Sequence, residues 1–128
     1  MDMSMVLVVA VIKMAIQIYH NPRCSKSRQT LAILEEQGVE ADVVEYLKTP
    51  PSAAELKAIL HKLGLSPMQL MRKGEAEFKE HVKDKKLDDA ALIDMMVAHP
   101  ILIERPIVIQ GEKAAIGRPP ESVLEILS

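Results

Sequence analysis

Cys24 is the only cysteine in the 128-residue chain, and it lies in the segment Tyr-His-Asn-Pro-Arg-Cys-Ser-Lys-Ser-Arg at residues 19–28. An apolar, strand-like run precedes this segment, and an amphipathic, helix-like run begins at Ser25. A cysteine at the start of a helix faces unpaired N–H groups and the positive end of the helix dipole, which favour its thiolate. The neighbouring cationic side chains add positive potential; they are His20, Arg23, Lys26 and Arg28. Because the thiolate is the nucleophilic form, the pattern predicts a reactive cysteine rather than an inert core residue.

Three arginines stand in contexts that suit the binding of an oxyanion. Arg72 lies in Leu-Met-Arg-Lys, Arg105 precedes Pro106, and Arg118 precedes two prolines. The planar guanidinium pairs bidentately with a tetrahedral oxyanion, whereas lysine acts as a point charge. A neighbouring proline stiffens the backbone and so helps to aim the side chain. The alternative for each, a solvated surface arginine, stays open, most of all for Arg72.

The histidines divide into one candidate and three structural residues. His20 lies four residues before Cys24, where it serves either as a charge partner of the thiolate or as a polar residue that ends a strand. His61, His81 and His99 have no cysteine, carboxylate or histidine spacing that is typical of a metal site. We therefore predict no metal centre.

Composition narrows the class of protein. The chain is 48% hydrophobic and 27% charged, as expected for one soluble globular domain. Two tyrosines, one phenylalanine and a net charge of −2 argue against nucleic-acid binding and against attraction to acidic membranes. A single cysteine cannot form an internal disulfide, so we expect a reducing, cytoplasmic location and external thiols for any redox cycle.

The first 14 residues read as an extension of uncertain role. Their apolar run, Val6 to Ile12, is too short for a bilayer, which needs about 20 residues. Asp2 precedes this run and Lys13 follows it, unlike the pattern of a secretory signal. Met14 is the more natural start, although the segment can instead lengthen the first strand.

The first half of residues 15–128 predicts a βαβ unit. Ala15 to Tyr19 is a strand, Ser25 to Gln37 a helix ended by Gly38, and Val39 to Tyr46 a second, parallel strand.

A helical insertion is predicted at about residues 52–99. Ser52 and Glu55 form a capping-box pattern for a helix that extends to about Leu63 and ends at Gly64. Residues 67–99 indicate two or three short helices, interrupted near residue 74 and at residues 84–87.

The last part of the chain predicts a hairpin and a helix. Ile107 to Ile109 and Lys113 to Ile116 flank a glycine-containing turn, and Pro119 opens a final helix. The order βαβ, helical block, ββα predicts an α/β thioredoxin-like fold with a mixed four-stranded sheet, in which the insertion separates the two halves.

Four segments, taken in order, resemble the glutaredoxin-coupled arsenate reductase family. They are residues 19–28 and the segments Leu-Met-Arg-Lys, Glu-Arg-Pro-Ile-Val and Gly-Arg-Pro-Pro-Glu, and the resemblance extends from Ile16 to Leu127. It implies reduction of arsenate to arsenite by an oxidoreductase of thioredoxin-like fold, with Cys24 forming a covalent thiol–arsenate adduct. It also implies that His20 keeps this thiol ionised.

The same resemblance assigns the remaining site residues. Arg72, Arg105 and Arg118 correspond to the oxyanion-binding arginines, and the bond between Arg105 and Pro106 to the fold's cis-proline site. Arg28, Ser27 and Pro106 are expected to support the site. The implied partners are arsenate, glutathione as co-substrate and glutaredoxin, with no bound cofactor and no membrane.

Three other protein classes share part of this pattern. Phosphatase-like arsenate reductases use a Cys-x5-Arg loop, and Thr30 occupies the arginine position here. Spx-type regulators use a Cys-x-x-Cys switch, and Ser27 replaces its second cysteine. A thioredoxin-fold oxidoreductase that acts on another substrate stays open, because the residues alone do not rank oxyanions or disulfides.

Overall fold

The computed structural model describes residues 16–127. The predictions for residues 1–14, and for Ala15 as the start of the first strand, lie outside this range. The described chain divides into two compact units: the residues up to Val44 together with those from Arg105 onward, and Glu45–Glu104.

The first unit contains a mixed four-stranded sheet. Its strands are β1 (Ile16–Tyr19), β2 (Asp42–Val44), β3 (Ile107–Gln110) and β4 (Lys113–Ile116), in the spatial order β2-β1-β3-β4. β1 is parallel to β2 and antiparallel to β3, and β3 is antiparallel to β4. The predicted α/β class, sheet and parallel βαβ start are therefore confirmed.

The sheet register brings three chain segments to one edge. Tyr19, the last residue of β1, is opposite Ile107, the first residue of β3, and Ile107 is opposite Ile116, the last residue of β4. Residues that follow β1, precede β3 and follow β4 must therefore leave the sheet at the same edge.

The core of this unit lies between the sheet and two helical segments, α1 (Ser25–Glu36) and a 3₁₀ helix (Pro120–Ile126). The predicted hairpin is present, with Gly111 at φ 58° in its turn. The predicted final helix forms as a 3₁₀ helix. Buried apolar side chains from every layer form one cluster: Ile16, Ile18, Leu34, Val108, Val123 and Ile126.

The prediction for the second strand was wrong in length, since β2 covers Asp42–Val44 rather than residues 39–46. Its ladder ends where the His20 N–H donates to the Val44 carbonyl at 2.9 Å. The chain beyond β1 then turns at Pro22 and offers no further partner for the ladder. Side-chain β propensity alone does not extend a strand past the end of its neighbour.

The second unit is helical, and its first helix is α2 (Ala53–Leu63). Ser52 and Glu55 form the predicted capping box, with the Glu55 N–H donating to Ser52 Oγ at 3.1 Å and the Ser52 N–H to Glu55 Oε1 at 3.2 Å. Gly64 ends the helix in the left-handed region at φ 68°.

Three short helices follow, as predicted: α3 (Pro67–Leu70), α4 (Ala76–His81) and α5 (Asp89–Ala98). A 3₁₀ helix (Pro100–Leu102) completes the unit. Leu56, Leu70, Met96 and Leu102 are fully buried and form part of the core of this unit. None of the helices formed by residues 16–127 is long and apolar enough to cross a membrane.

Candidate active site

Cys24 immediately precedes α1, at the strand-to-helix junction predicted from the sequence. Its backbone is extended (φ −92°, ψ 122°), and its carbonyl accepts the Arg28 N–H at 3.0 Å, which starts the helix. Its own N–H donates to the Asn21 carbonyl at 3.0 Å. The thiol therefore lies half-buried where the unpaired N–H groups of the first turn point.

The surroundings of Cys24 favour the thiolate. Partial burial by itself would raise the pKa of the thiol, but the backbone N–H of Ser27, a hydrogen bond and charge from Arg105, and the charge of Arg118 outweigh it. Together they lower the pKa of Cys24 below its ordinary value of 9.0. The lowered pKa increases the fraction of the sulfur that is present as the nucleophilic thiolate at a given pH.

Two of the three predicted arginines lie beside this sulfur. Arg118 Nη2 lies 3.4 Å from Cys24 Sγ, and Arg118 Nε donates to the Arg105 carbonyl at 2.8 Å. Arg105 is buried, and Arg118 is exposed. The peptide bond between Arg105 and Pro106 is cis, as the resemblance implied, and so is the bond after Arg118. The role of the two guanidinium groups toward a substrate remains a prediction.

Gly117 positions Arg118, and sequence reasoning missed it. Gly117 is buried, and its N–H donates to the Pro106 carbonyl at 2.9 Å. A Cβ at this position would collide with Thr30 Oγ1 and would lie 2.7 Å from Pro106 Cγ. The close approach of the chain to α1 therefore requires glycine. A glycine directly before Arg-Pro-Pro was the signal in the sequence.

His20 and Ser27, which lie on either side of Cys24 in the chain, form a buried polar pair. His20 Nδ1 lies 2.6 Å from Ser27 Oγ, which also accepts the Asn21 N–H at 3.0 Å. Since the Ser27 N–H helps to lower the pKa of Cys24, this hydroxyl links His20 to the loop that holds the thiolate. The role of His20 in keeping the thiol ionised stays a prediction.

Arg28 and Asn21 form hydrogen bonds with the two residues that precede Cys24, Pro22 and Arg23. Arg28 Nη1 donates to the Pro22 carbonyl at 2.9 Å, which is consistent with the supporting place assigned to Arg28. Asn21, which sequence reasoning did not single out, is buried, and its Oδ1 accepts the Arg23 N–H at 3.0 Å. An Asn before Pro is a common turn signal and could have identified this residue.

Arg72, the third predicted arginine, belongs to the second unit and is held there by carboxylates. Its Nε lies 3.1 Å from Glu75 Oε1, and its Nη1 lies 2.7 Å from Glu104 Oε1. Burial alone would lower the pKa of Arg72, but these two carboxylates raise it above its usual range. Its oxyanion-binding role remains a prediction. Sequence reasoning missed both glutamates, although Glu75 lies at helical spacing from Arg72.

A cavity of about 460 Å³ lies elsewhere in the second unit, between α2 and α5. None of the residues predicted to do chemistry lines it. Its walls are formed by Ala53, Ala54, Lys57, Asp89, Ala90, Ile93 and Asp94. Within residues 16–127, no group of three or more His, Cys, Asp or Glu side chains is arranged to hold a metal ion.

Residues 19–126 match the ArsC family. The chain belongs to the ArsC family. This match covers both units, from the end of β1 to the last 3₁₀ helix, and therefore includes Cys24 and the three arginines.

Similar proteins support the assignment of this ArsC-family chain. An arsenate reductase of Neisseria meningitidis is 50% identical over 114 residues, which are 88% of this chain and 97% of that protein. An uncharacterized protein of Escherichia coli K12, YfgD, is 55% identical over 114 residues, covering 88% and 96% of the two chains. The solved structure of an arsenate reductase from Vibrio cholerae superimposes with a TM-score of 0.86 at 52% identity, covering 89% of this chain and 98% of that one.

Proposed function

We propose that this ArsC-family chain is an arsenate reductase in which Cys24 forms a covalent adduct with arsenate. The observation that carries the proposal is the placement of Arg118 Nη2 3.4 Å from Cys24 Sγ, beside a thiol of lowered pKa. The names of the relatives in Neisseria and Vibrio support the choice of substrate.

The arginines reduce the electrostatic repulsion between the thiolate and arsenate. Arsenate is an anion at neutral pH, and two like charges about 4 Å apart repel by about 4 kcal/mol at the effective dielectric of a protein surface. The guanidinium groups of Arg105 and Arg118 supply positive charge next to the sulfur. They offset this repulsion and stabilise the charge that develops on the arsenate oxygens during attack.

The proposed reaction balances in atoms and electrons when one thiol, that of glutathione, is supplied from outside the chain. The Cys24 thiolate attacks arsenic and forms the sulfur–arsenic bond, while an arsenate hydroxyl takes a proton from solvent and leaves as water. The thiolate of glutathione then attacks the Cys24 sulfur, and the electron pair of the sulfur–arsenic bond passes to arsenic, so that As(V) becomes As(III). Arsenite is released, and Cys24 is left in a mixed disulfide with glutathione.

Glutaredoxin is proposed to regenerate the enzyme. The chain contains one cysteine, so a second thiol must come from another molecule to resolve the mixed disulfide. Such a cycle requires a reducing compartment, which is why we propose that it operates in the cytoplasm.

Arsenite production by the purified protein tests the proposal. Wild type with arsenate and glutathione should yield arsenite, glutaredoxin should sustain the yield over many turnovers, and Cys24→Ser should abolish it. Mass spectrometry of the Cys24 peptide after one turnover should find glutathione attached. Glutathione on Cys24 without arsenite would point to another substrate, and arsenite formed equally well by Cys24→Ser would overturn the mechanism.

A further inference from the structure

A buried hydroxyl in the first turn of α1 joins the two ends of the segment that carries Cys24. Ser27 is fully buried, and its Oγ accepts the Asn21 N–H at 3.0 Å. The same Oγ lies 2.6 Å from His20 Nδ1. Among the residues that the structure describes, these two are the hydrogen-bond partners of the Ser27 side chain. The hydroxyl therefore has to satisfy its donor and its lone pairs with them.

The number of hydrogens in these two contacts decides which atom donates. A serine hydroxyl has one O–H donor and two lone pairs, and a backbone N–H can only donate. Because the Asn21 N–H occupies one lone pair, the Ser27 proton needs an acceptor, and His20 Nδ1 is the atom within reach. If Nδ1 carried a hydrogen, Ser27 Oγ would accept twice, and its own proton would be buried without an acceptor, which is unfavourable.

The length of the contact supports the same direction. Hydrogen bonds donated by nitrogen to oxygen usually measure about 2.7–3.2 Å, whereas bonds donated by a hydroxyl are shorter and begin at about 2.5 Å. The separation of 2.6 Å between Ser27 Oγ and His20 Nδ1 lies in the hydroxyl range alone. The hydroxyl is thus the donor and Nδ1 the acceptor, so the ring is neutral and carries its hydrogen on Nε2.

Ser27 connects this contact to Cys24. The backbone N–H of Ser27 is one of the groups that lower the pKa of Cys24, together with Arg105 and Arg118. The hydroxyl and this N–H belong to one residue, so a hydroxyl held by His20 and by the Asn21 N–H also fixes the direction of the N–H. In this arrangement the imidazole influences the thiol without a charge of its own.

From these contacts we infer that His20 is a positioning residue that accepts a hydrogen bond from Ser27 as a neutral imidazole, with its hydrogen on Nε2, rather than a cationic partner of Cys24. The inference rests on the proposed function in that Cys24 is taken as the nucleophile. It decides between the charge partner and the uncharged polar residue that the sequence left open for His20.

Nitrogen NMR of the wild-type protein at pH 7 tests the assigned tautomer directly. The ring ¹⁵N resonances of His20 are identified among those of the four histidines by their absence from His20→Asn. Nδ1 should resonate as an unprotonated ring nitrogen, and Nε2 as a protonated one. A hydrogen on Nδ1, in the other neutral tautomer or in the imidazolium, would overturn the inference. This result is obtained on the intact protein, so it stands even where a variant at His20 folds poorly.

Alkylation of Cys24 by iodoacetamide tests the positioning role. Asparagine Oδ1 and histidine Nδ1 are both bonded to Cγ, and asparagine has no charge at any pH. His20→Asn should therefore keep the alkylation rate and its pH profile close to wild type, whereas His20→Ala should be about fivefold slower, the factor that corresponds to one net hydrogen bond. His61→Ala, at an exposed histidine of the second unit, is the control and should behave as wild type. A rate for His20→Asn as low as that of His20→Ala would overturn the inference.

A double variant tests whether His20 acts through Ser27. Ser27→Ala should slow alkylation at least as much as His20→Ala, because it also removes the acceptor of the Asn21 N–H. His20→Ala should then add nothing to Ser27→Ala, and additive effects would overturn the inference. The proposed function fails separately: arsenite formed by Cys24→Ser would overturn it, and neither the NMR nor the alkylation measurement uses arsenate.

Discussion

Arg118 Nη2 lies 3.4 Å from Cys24 Sγ although the two residues are 94 positions apart in the chain. The sheet explains the encounter, because β1 ends, β3 begins and β4 ends at the same edge. Cys24 follows β1, Arg105 precedes β3 and Arg118 follows β4, so the register of three strands brings all of them to one place. The reactive sulfur and its two cations are therefore a consequence of strand pairing.

Replacement of Arg118 by alanine should raise the pKa of Cys24. The charge of Arg118 is one of the effects that favour the thiolate, and its removal leaves partial burial less opposed. The rate of alkylation by iodoacetamide at pH 7 should fall several-fold, and its pH profile should move to higher pH. Arg23→Ala is the matched control, since Arg23 is exposed and adjacent to Cys24 but is not among the groups that lower its pKa. An equal fall in Arg23→Ala would assign the effect to general positive charge.

Stability should depend on pH through Cys24. Its pKa is lower in the folded protein than its ordinary value of 9.0, so between these two values the unfolded chain binds more protons than the folded one. The free energy of unfolding of wild type, relative to Cys24→Ser, should rise with pH across this window and level off above about pH 9. This contribution should be lost as the pH falls through the folded-state pKa. Urea unfolding from pH 6 to pH 10 measures it, and a difference that declines with rising pH would contradict the assigned direction.

Replacement of Arg105 by lysine should weaken the use of arsenate more than it disturbs the fold. The carbonyl of Arg105 that accepts from Arg118 is retained, whereas the planar fork that donates to the sulfur is lost. Because lysine cannot bind an oxyanion bidentately, the KM for arsenate should rise roughly tenfold. Thermal unfolding monitors the fold, and Arg23→Lys serves as the control for a generic exchange. Wild-type kinetics in Arg105→Lys would show that bidentate binding is not its role.

Gly117→Ala should destabilise the protein and slow the alkylation of Cys24. The new methyl group would collide with Thr30 and would lie 2.7 Å from Pro106 Cγ, in a site that is already buried. Overpacking of this kind costs about 1–3 kcal/mol, and relief of the clash should shift Arg118 away from the sulfur.

Gly74→Ala provides the matched control, because a Cβ at Gly74 meets nothing within 4 Å. It should be neutral or stabilise by about 0.4–1 kcal/mol through the unfolded chain. Urea unfolding compares the two variants. A stable Gly117→Ala with wild-type alkylation would show that the chain can move apart here without effect on the site.

Local sequence signals predicted much of the architecture. The capping box of Ser52 and Glu55, the left-handed residues Gly38 and Gly64, and the turn at Gly111 are each decided within a few residues, and each was confirmed. The length of β2 was not predictable in this way. Val39 and Tyr46, on either side of the strand, have side chains that favour strand, but side-chain propensity alone does not form a ladder of hydrogen bonds.

In the candidate site, too, the features that depend on neighbouring residues were predictable, and those that depend on distant contacts were not. The type of residue at position 24 and its place before a helix were evident from the chain alone, because a helix start is a local property. The partners of Arg72 were not evident, since Glu104 reaches it from 32 residues away through a backbone bridge. Likewise, Ser27 was expected to support the site, yet its contact with His20 depends on how the loop closes.

The amino-acid sequence therefore decides which chemical groups exist and which of them begin or end a helix or strand, since propensities, caps and turns act over a few residues. The convergence of Cys24, Arg105 and Arg118 was decided by the tertiary structure, because it depends on the pairing of β1, β3 and β4. The lowered pKa of the thiol follows from that convergence. Electrostatic interactions depend on the distance between two charges in space, and the number of residues between them in the chain does not predict that distance.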